Sequence, residues 1–341
     1  MVIFLGDPMQ AVFGIFDTGS DLVWVQCNNL AGKNKFPHFN QTNSSKYKAI
    51  DCRNKKQCKT SYTKDVQCST IRGDNSCLYN IGYVDGTASR GVMASDIITM
   101  KPNMTVIPNF LFGCSIANPE DTPGIIGAGN SIYSMPRQLY PNDAKFSYCI
   151  SGIVSDINYV RFGIDAKLLG RKVKVLRHGL DPFYYMDVIG MKVDAVDIKV
   201  DPSEFAMSRD GETGFMIDSG YEYTSLSKLA FNALKYVLQV NFGAPTKVSD
   251  FEICYQFKFP WRTIRKPVIG IKFRDWLFEL DPSNVWRKMG NTKFECLLVH
   301  RSPELKLSVL GAQQLFDVNI GHDLKNNFLY LQPMKCPTTA F

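Results

Sequence analysis

Apolar residues recur along the chain as short runs and alternating stretches broken by glycine and proline, a pattern typical of β-strands and turns. Val2 to Gly6 and Gln10 to Phe16 predict a hairpin that turns at Asp7-Pro8. Tyr79 to Thr99 predicts a second hairpin, because an Asp-Gly pair between alternating strands favours a tight turn at Val84 to Thr87. Helices are predicted around Ser134 to Leu139 and Leu226 to Leu238. The pattern therefore predicts a mainly β protein.

Two of the predicted strands end in an acid, a small hydroxyl residue and a glycine. The first is Phe16-Asp17-Thr18-Gly19-Ser20, and Ile217-Asp218-Ser219-Gly220 follows about two hundred residues later. In each, an apolar strand delivers one carboxylate to a tight turn where backbone donors can approach it closely. One such tripeptide is weak evidence, because similar turns are common at strand ends. Two copies, one in each half, are a much stronger signal.

A second repeated element lies downstream of each acid. Gly124-Ile125-Ile126-Gly127 follows the first acid, and Ser308-Val309-Leu310-Gly311 follows the second. The same order of acid turn, long β-rich stretch and apolar-glycine strand therefore occurs twice, which indicates an internal duplication. We see no Gly/Ser-rich linker between the halves, which favours two lobes sharing a sheet over two tethered domains.

Charge and composition exclude several classes of function. The net charge is +7, but the basic residues are scattered in short groups such as Arg171 to Lys174 and Arg262 to Lys266. A nucleic-acid-binding stripe would cluster them with interleaved aromatics, so we expect a solvated basic surface and no nucleic-acid partner. No run approaches the ~20 apolar residues of a membrane span. The sequence has no Cys-x-x-Cys pair and its histidines are isolated, so no metal site is expected.

The ten cysteines point to an oxidising compartment. An even number of cysteines without a metal pattern predicts disulfides. Residues 28 to 80 are polar and cysteine-rich, which predicts a loop held by bridges instead of by a core. Three glycosylation sequons agree with this reading, although each alone is weak: Asn40-Gln41-Thr42, Asn43-Ser44-Ser45 and Asn103-Met104-Thr105.

Together with the paired acid turns, several stretches of the chain resemble the pepsin-like aspartic proteases, and within them the plant nepenthesin-like branch. The stretches are Asp17 to Cys27, Phe112-Gly113-Cys114, Lys145 to Cys149, Phe183-Tyr184-Tyr185 with Gly190, and Leu310-Gly311 through to His322-Asp323. The resemblance covers almost the whole chain. It implies a bilobal double β-barrel with a cleft between two pseudo-symmetric lobes, residues 1–152 and 153–341. Family members carry a signal, a propeptide and more of the first strand, so we expect an N-terminally shortened product.

The resemblance also assigns roles to individual residues. Asp17 and Asp218 correspond to the catalytic dyad, supported by Thr18, Gly19, Ser20, Ser219 and Gly220. Tyr83 corresponds to the tyrosine of the substrate-covering flap, with Asp85 and Gly86 in its turn, and Trp24 to the tryptophan that hydrogen-bonds that tyrosine. The plain structural alternatives are that Trp24 is a buried strand tryptophan and that Tyr83 belongs to a cross-strand aromatic pair. Val84 replaces the usual flap glycine, and Cys254 and Cys296 resemble the family's second-lobe disulfide.

The implied chemistry is hydrolysis by two carboxyl groups. As established for aspartic proteases, carboxyl groups about 3 Å apart share one proton. At an effective dielectric constant of ~20, two unit charges at that distance repel by roughly 5 kcal/mol. The ionised group would act as general base on a water, and the protonated group would donate to the scissile carbonyl. We expect an acid-active endopeptidase that needs no cofactor, acts on peptide or protein substrates, is monomeric, and is secreted or vacuolar.

One residue and the chain's start keep other functions open. Tyr221 stands where the family usually has Thr or Ser after Asp-Ser-Gly, and its hydroxyl lies several bond lengths further out. A catalytically silent binding protein, like plant relatives that inhibit cell-wall-degrading glycosidases, is therefore the alternative, although those relatives generally lack one or both acids. A non-functional fragment with an unpaired sheet edge is the third possibility.

Overall fold

The computed structural model describes the chain except residues 28–34, 54–56, 59–64, 72, 101–103, 118–121, 154–155, 157, 180, 210, 260–261, 303–305 and 337–341. The chain divides into two compact units. Unit 1 comprises residues 1–144 with 179–182, and unit 2 comprises residues 145–178 with 183–341. The expected division into residues 1–152 and 153–341 stays a prediction.

Unit 1 is built mainly from β-strands. Its described elements are β1 (Val2–Leu5), β2 (Gln10–Phe13), β3 (Ile15–Asp17), β4 (Val23–Gln26), β5 (Lys48–Ala49), β6 (Val66–Cys68), β7 (Cys77–Gly82), β8 (Ala88–Met100), β9 (Thr105–Ala117), β10 (Gly124–Gly127) and the short helix α1 (Met135–Leu139). The main path of the sheet is β2-β1-β8-β9-β4-β10-β3, and β5, β6 and β7 join it at β8 or through one another.

The two ends of this path, β2 and β3, are consecutive in the chain, so the sheet bends back on itself at Gly14. A Cβ atom at Gly14 would lie 2.6 Å from the Cγ1 atom of Ile126, so only glycine lets the chain pass β10 at this corner. The strand pairs that the structure describes do not close a barrel. The alternation of buried and exposed residues in β7 and β8 places Tyr79 and Met93 in a core with Trp24.

Unit 2 is larger and is also mainly β. Its described strands are β11 (Lys145–Cys149), β12 (Tyr159–Phe162), β13 (Arg171–Leu176), β14 (Tyr184–Met186), β15 (Gly190–Val193), β16 (Val196–Asp197), β17 (Thr213–Asp218), β18 (Thr224–Leu226), β19 (Thr246–Val248), β20 (Phe251–Tyr255), β21 (Lys258–Phe259), β22 (Arg262–Thr263), β23 (Ile269–Lys272), β24 (Leu277–Glu279), β25 (Trp286–Lys288), β26 (Glu295–Leu297), β27 (Val299–Arg301), β28 (Lys306–Gly311), β29 (Val318–Asp323) and β30 (Phe328–Pro333). Its helices are α2 (Lys228–Phe242) and α3 (Pro282–Val285).

The largest sheet of unit 2 follows the order β12-β11-β29-β30-β13-β14-β17-β28-β18-β27. Helix α2 begins after Ser227, whose hydroxyl caps the backbone N–H of Ala230, and it ends at Gly243, which has a positive φ of 84°. Along α2 the apolar residues Phe231, Leu234 and Leu238 recur at helical spacing and are buried. The helix therefore covers the β15, β18 and β27 strands that it contacts.

Five disulfides involve all ten cysteines: Cys27–Cys114, Cys52–Cys68, Cys58–Cys77, Cys149–Cys336 and Cys254–Cys296. The last of these confirms the second-lobe bridge that the family resemblance implied. Two bridges hold the cysteine-rich segment of residues 28 to 80, which we call the insertion, as its cysteine content predicted. The expectation that bridges replace a core there is wrong in part, because Ile50, Val66 and Tyr79 lie in the unit 1 core.

Both predicted hairpins and both predicted helices are confirmed, except that the second strand of the first hairpin ends at Phe13 instead of Phe16. Strands β1 and β2 pair from Val2↔Phe13 to Leu5↔Gln10, and β7 and β8 pair from Leu78↔Val92 to Gly82↔Ala88. Helices α1 and α2 lie within four residues of the expected bounds. Among the helices of the described residues, none has the length and apolar character needed to span a membrane.

Candidate active site: two acid turns and a flap

The first acid lies at the end of β3, in the middle of an extensive backbone network. Strand β3 runs parallel to β10, with Asp17 opposite Gly127. The N–H of Ala128 donates to the backbone carbonyl of Asp17 at 2.7 Å. A Cβ atom at Gly127 would lie 2.5 Å from the backbone of Asp21, so glycine at 127 is required for the turn after Asp17 to approach β10. The apolar-glycine strand therefore fixes the position of the acid turn.

Asp17 is only 6 % exposed, and both oxygens of its carboxylate accept hydrogen bonds. The N–H of Gly19 donates to Oδ1 at 2.8 Å, and the hydroxyl of Ser20 donates to Oδ2 at 2.5 Å. These two donors fix the orientation of the carboxyl group. Thr18, beside it, is fully buried.

The second acid is built the same way within unit 2. Strand β17 runs parallel to β28, with Asp218 opposite Gly311. The N–H of Gly220 donates to Oδ1 of Asp218 at 2.8 Å, and Asp218 is 9 % exposed. A Cβ atom at Gly311 would lie 2.5 Å from the backbone of Tyr223. The two turns therefore share a strand pairing, a glycine donor and a glycine contact.

The residue after each turn differs. Tyr221 occupies the position that Ser20 has in the first turn, and its side chain packs against a small apolar cluster made of Tyr185, Met216, Leu307 and Val309. Its backbone carbonyl accepts the N–H of Ala312 at 2.8 Å, much as the carbonyl of Ser20 accepts the N–H of Gly129 at 2.9 Å. In both turns this carbonyl therefore pairs with the segment after the apolar-glycine strand, two residues beyond Gly127 in the first turn and one residue beyond Gly311 in the second. The Tyr221 side chain is directed to apolar packing.

Tyr83 and Trp24 meet directly in unit 1. The indole N–H of Trp24, a residue that is 1 % exposed, donates to the Tyr83 hydroxyl at 2.7 Å. Burial raises the pKa of Tyr83 well above its usual value, the bond from Trp24 opposes this, and the nearby charge of Asp17 adds to it. Tyr83 is therefore a neutral phenol across the physiological pH range. The reading of Trp24 as a buried strand tryptophan holds as well, since Trp24 belongs to the unit 1 core and Tyr83 packs against that core.

The turn that follows Tyr83 is held by Asp85 and Gly86. The Asp85 carboxylate accepts the N–H of Thr87 at 2.9 Å and its hydroxyl at 2.7 Å. Gly86 adopts a φ of 84°, a conformation that favours glycine. Val84 is 75 % exposed at the tip. Asp85 and Gly86 thus shape the turn, and their contact with substrate stays a prediction.

The Trp24–Tyr83 bond gives a first testable prediction. Tyr83→Phe leaves the buried indole N–H of Trp24 without its acceptor, which costs about 1–3 kcal/mol of unfolding free energy. A double-mutant cycle with Trp24→Phe should give a coupling energy of about 0.5–3 kcal/mol in urea unfolding. Additive effects of the two substitutions would show that the bond does not stabilise the flap.

One residue of the site was missed by sequence reasoning. Asp21 is 5 % exposed, and its carboxylate accepts the N–H of Ser131 at 2.8 Å. This bond ties the end of the first acid turn to the loop after β10. Its signal was available, because a second acid four residues after Asp17 leads straight into the apolar run Leu22 to Val25. A buried carboxylate at that point needs a partner.

A metal centre is not supported by the described residues. The sulfurs of Cys52, Cys58 and Cys68 lie within 4.8 Å of one another, but all three belong to disulfides. Thiolates are the ligand form of cysteine, so these bridges do not bind a metal.

Two duplicated acid turns, each braced by a parallel apolar-glycine strand, define the pepsin-like class of proteins. Residues 1–164 match the family model for the xylanase inhibitor N-terminal domain, and residues 183–333 match the model for the C-terminal domain. The chain is 29% identical to aspartic proteinase nepenthesin-2 of Nepenthes gracilis, over 98% of this chain and 77% of that protein. It is 26% identical to the protein aspartic protease in guard cell 2 of Arabidopsis thaliana, over 98% of this chain and 72% of that protein.

Among solved structures, basic 7S globulin from soybean superposes with a TM-score of 0.75 at 18% identity, covering 96% of this chain and 91% of that one. At that identity the likeness shows the fold alone. With the family models covering both units, the chain belongs to the plant nepenthesin-like group of the pepsin-like family, as its motifs predicted.

Proposed function

We propose that the protein is an aspartic endopeptidase that hydrolyses peptide bonds at acidic pH. The observation that carries this proposal is the matched construction of the two acid turns, in which Asp17 and Asp218 each accept the N–H of the glycine two residues on, both at 2.8 Å. Relatives whose names describe them as aspartic proteinases support it. The likeness to the soybean globulin concerns the fold alone, so it neither supports nor opposes this proposal.

In the proposed reaction, Asp17 and Asp218 act together on one water molecule. One carboxyl group is ionised and removes a proton from the water, which attacks the scissile carbonyl carbon. The other carboxyl group donates its proton to the carbonyl oxygen, so a neutral tetrahedral intermediate forms without a covalent bond to the enzyme. The Ser20 hydroxyl orients Asp17, and Thr18 and Ser219 brace the two turns. Tyr83, fixed by Trp24, covers the substrate with the Asp85–Gly86 turn.

The proposal includes a compartment and partners. Five disulfides support secretion or a vacuolar location, because such bridges persist in oxidising environments. The substrate is an unfolded protein or peptide, and the protein acts as a monomer without a cofactor.

The direct test is cleavage of an unfolded protein by disulfide-intact protein between pH 3 and 6. We expect cleavage that a statine-type inhibitor blocks, since its hydroxyl mimics a hydroxyl of the tetrahedral intermediate. No cleavage anywhere in this range would refute the proposal.

Tyr221 gives a second prediction, on the rate. Tyr221→Ser places a short hydroxyl after the second turn, where Ser20 provides one for Asp17. A hydrogen bond to a charged group contributes about 1.5–3 kcal/mol, so we expect kcat to rise about tenfold at the pH optimum. Tyr221→Phe is the matched control: it keeps the ring against its apolar cluster and should leave kcat near the parent value. A similar gain in both variants would contradict the proposed role of a short hydroxyl.

A second candidate function is a catalytically silent inhibitor of cell-wall-degrading glycosidases. It is favoured by the matching family models, which are described as xylanase inhibitor domains, and by the position of Tyr221. Glycosidase inhibition that persists in Asp218→Asn, combined with a parent protein that does not cleave peptides, would favour this function over proteolysis.

A further inference from the structure

The two disulfides of the insertion lie against each other. Cys52 is bonded to Cys68, and Cys58 to Cys77. The sulfur of Cys58 lies 3.8 Å from that of Cys52 and 4.0 Å from that of Cys68. A sulfur of one bridge is therefore within reach of both sulfurs of the other bridge.

We propose that these four cysteines form a site of thiol–disulfide exchange, at which a small thiol converts the Cys52–Cys68 and Cys58–Cys77 bridges into Cys52–Cys58 and Cys68–Cys77. This inference goes beyond the proposed function, because it concerns the insertion and holds whether or not the protein cleaves peptides.

Access to the four sulfurs is unequal, and this sets the order of events. Cys68 is exposed at the end of β6, whereas Cys58 is 9 % exposed and Cys77 is fully buried. Exchange rates depend on which sulfur the attacking thiolate can reach. A thiol from solution therefore enters at Cys68, and the Cys58–Cys77 bridge is protected from direct attack.

The exchange balances in three steps. The thiolate attacks the Cys68 sulfur, forms a mixed disulfide and releases the Cys52 thiolate. Cys52 then attacks the Cys58 sulfur, 3.8 Å away, which forms Cys52–Cys58 and releases the Cys77 thiolate. Cys77 attacks the mixed disulfide at Cys68, which forms Cys68–Cys77 and returns the thiol. Two disulfides are broken and two are formed, so the thiol is a catalyst and no net oxidation occurs.

The pairing of β6 with β7 brings Cys68 and Cys77 close enough to form the new bridge. Cys68 and Cys77 are direct partners on the antiparallel strands β6 and β7. The next pair along the two strands, Ser69 and Ser76, is hydrogen-bonded, because the N–H of Ser69 donates to the carbonyl of Ser76. The pair formed by Asp65 and Asn80, on the other side, is also hydrogen-bonded, because the N–H of Asn80 donates to the carbonyl of Asp65. Hydrogen-bonded and non-hydrogen-bonded pairs alternate along antiparallel strands. Cys68 and Cys77 thus form a non-hydrogen-bonded pair, where Cα atoms approach to about 4.5 Å, within the range a disulfide spans.

The change of pairing alters how the insertion is restrained. The present bridges interleave and span 16 and 19 residues. The new bridges would span 6 residues (58 − 52) and 9 residues (77 − 68), and they would no longer interleave. Shorter closed loops restrain less of the chain. Because Cys77 begins β7, which leads to Tyr83, the exchange would loosen the insertion at the base of the flap.

Peptide mapping tests the exchange in the intact protein. The folded protein is incubated with reduced glutathione at pH 8, free thiols are blocked, and trypsin is added without reduction. Lys56, Lys64 and Arg72 separate all four cysteines, so each pairing gives its own linked peptides. We expect Cys52–Cys58 and Cys68–Cys77 peptides to appear, while Cys27–Cys114, Cys149–Cys336 and Cys254–Cys296 stay unchanged. Unchanged bridges, or a mixed disulfide at Cys68 with Cys58–Cys77 intact, would overturn the proposal.

Two double variants test the relay. In Cys52→Ser/Cys68→Ser the internal nucleophile is gone, and we expect glutathione to open Cys58–Cys77 at least tenfold more slowly than in the parent. In Cys58→Ser/Cys77→Ser, Cys52–Cys68 should open at the parental rate, because its exposed sulfur is attacked directly. Equal rates of Cys58–Cys77 opening in the parent and the first variant would show that no relay operates.

Discussion

Replacing either Asp17 or Asp218 with asparagine is expected to abolish proteolysis, with kcat/KM falling roughly 10³- to 10⁴-fold at the pH optimum. An amide can neither take the proton from water nor share one with the other acid. Asparagine keeps the acceptor oxygen for the glycine N–H of each turn, at 2.8 Å in both. Activity should therefore be lost without a large change in melting temperature. An unchanged melting temperature would show that the loss comes from the active-site chemistry and not from unfolding.

Asp201→Asn is the matched control for these variants. Asp201 is an exposed residue whose carboxylate accepts the N–H of Ser203. Asparagine is as good a cap as aspartate, so the substitution should keep this bond. Its activity should equal that of the parent. If Asp17→Asn or Asp218→Asn kept more than a tenth of the parent activity, the two acids would not form the proposed catalytic pair.

Replacing His322 with phenylalanine is expected to protect the protein against acid unfolding. His322 in β29 is fully buried, stacked on Phe146 at 4.2 Å and edge-on to Tyr184 at 4.4 Å. Neither ring nitrogen has a hydrogen-bond partner among the described residues. Burial, with a smaller effect of the Arg177 charge, holds the pKa of His322 well below its usual value.

The direction of the pH dependence follows from that lowered pKa. Below about pH 6.5 the unfolded chain binds a proton at His322 and the folded chain does not, so acid favours unfolding. Each pH unit costs at most about 1.4 kcal/mol until the folded-state pKa is reached. Phenylalanine fills the same stacked position and does not titrate. We expect His322→Phe to lose less melting temperature than the parent between pH 7 and pH 4.

His300→Phe is the control for this prediction. His300 is half-buried beside Phe251, and burial lowers its pKa while the charges of Asp250, Glu222 and Glu252 oppose the shift. Replacing His300 should reduce the pH dependence of the melting temperature less than replacing His322 does. Parallel melting curves for the parent and His322→Phe across this range would show that His322 does not contribute to acid sensitivity.

Much of the fold and the site could be predicted from the sequence, because both depend on local patterns. Asp17 and Asp218 each follow an apolar run and precede a glycine, so their strand ends and turns are encoded within a few residues. The Tyr83 hairpin is encoded in the same way by Asp85-Gly86. The apolar-glycine strands were found because they repeat, and their contacts with the acid turns then explain their glycines.

Contacts that join distant parts of the chain could not be predicted in the same way. The pairing of Cys52, Cys58, Cys68 and Cys77 depends on the register of β6 and β7. Only three residues of β6 enter that pairing, and so short a strand does not define its register or partner from the sequence. The position of Tyr221 depends on an apolar cluster drawn from three separate segments. His322 looked isolated along the chain, and only the pairing of β29 with β11 places it on Phe146.

The central claim of the proposed function is that Asp17 and Asp218 act on the same water molecule. Calorimetric titration at acidic pH with a statine-type inhibitor tests it most directly. We predict one inhibitor bound per chain, with affinity reduced at least a hundredfold in both Asp17→Asn and Asp218→Asn, because the inhibitor hydroxyl would contact both carboxyl groups. Unchanged affinity in either variant would contradict the account.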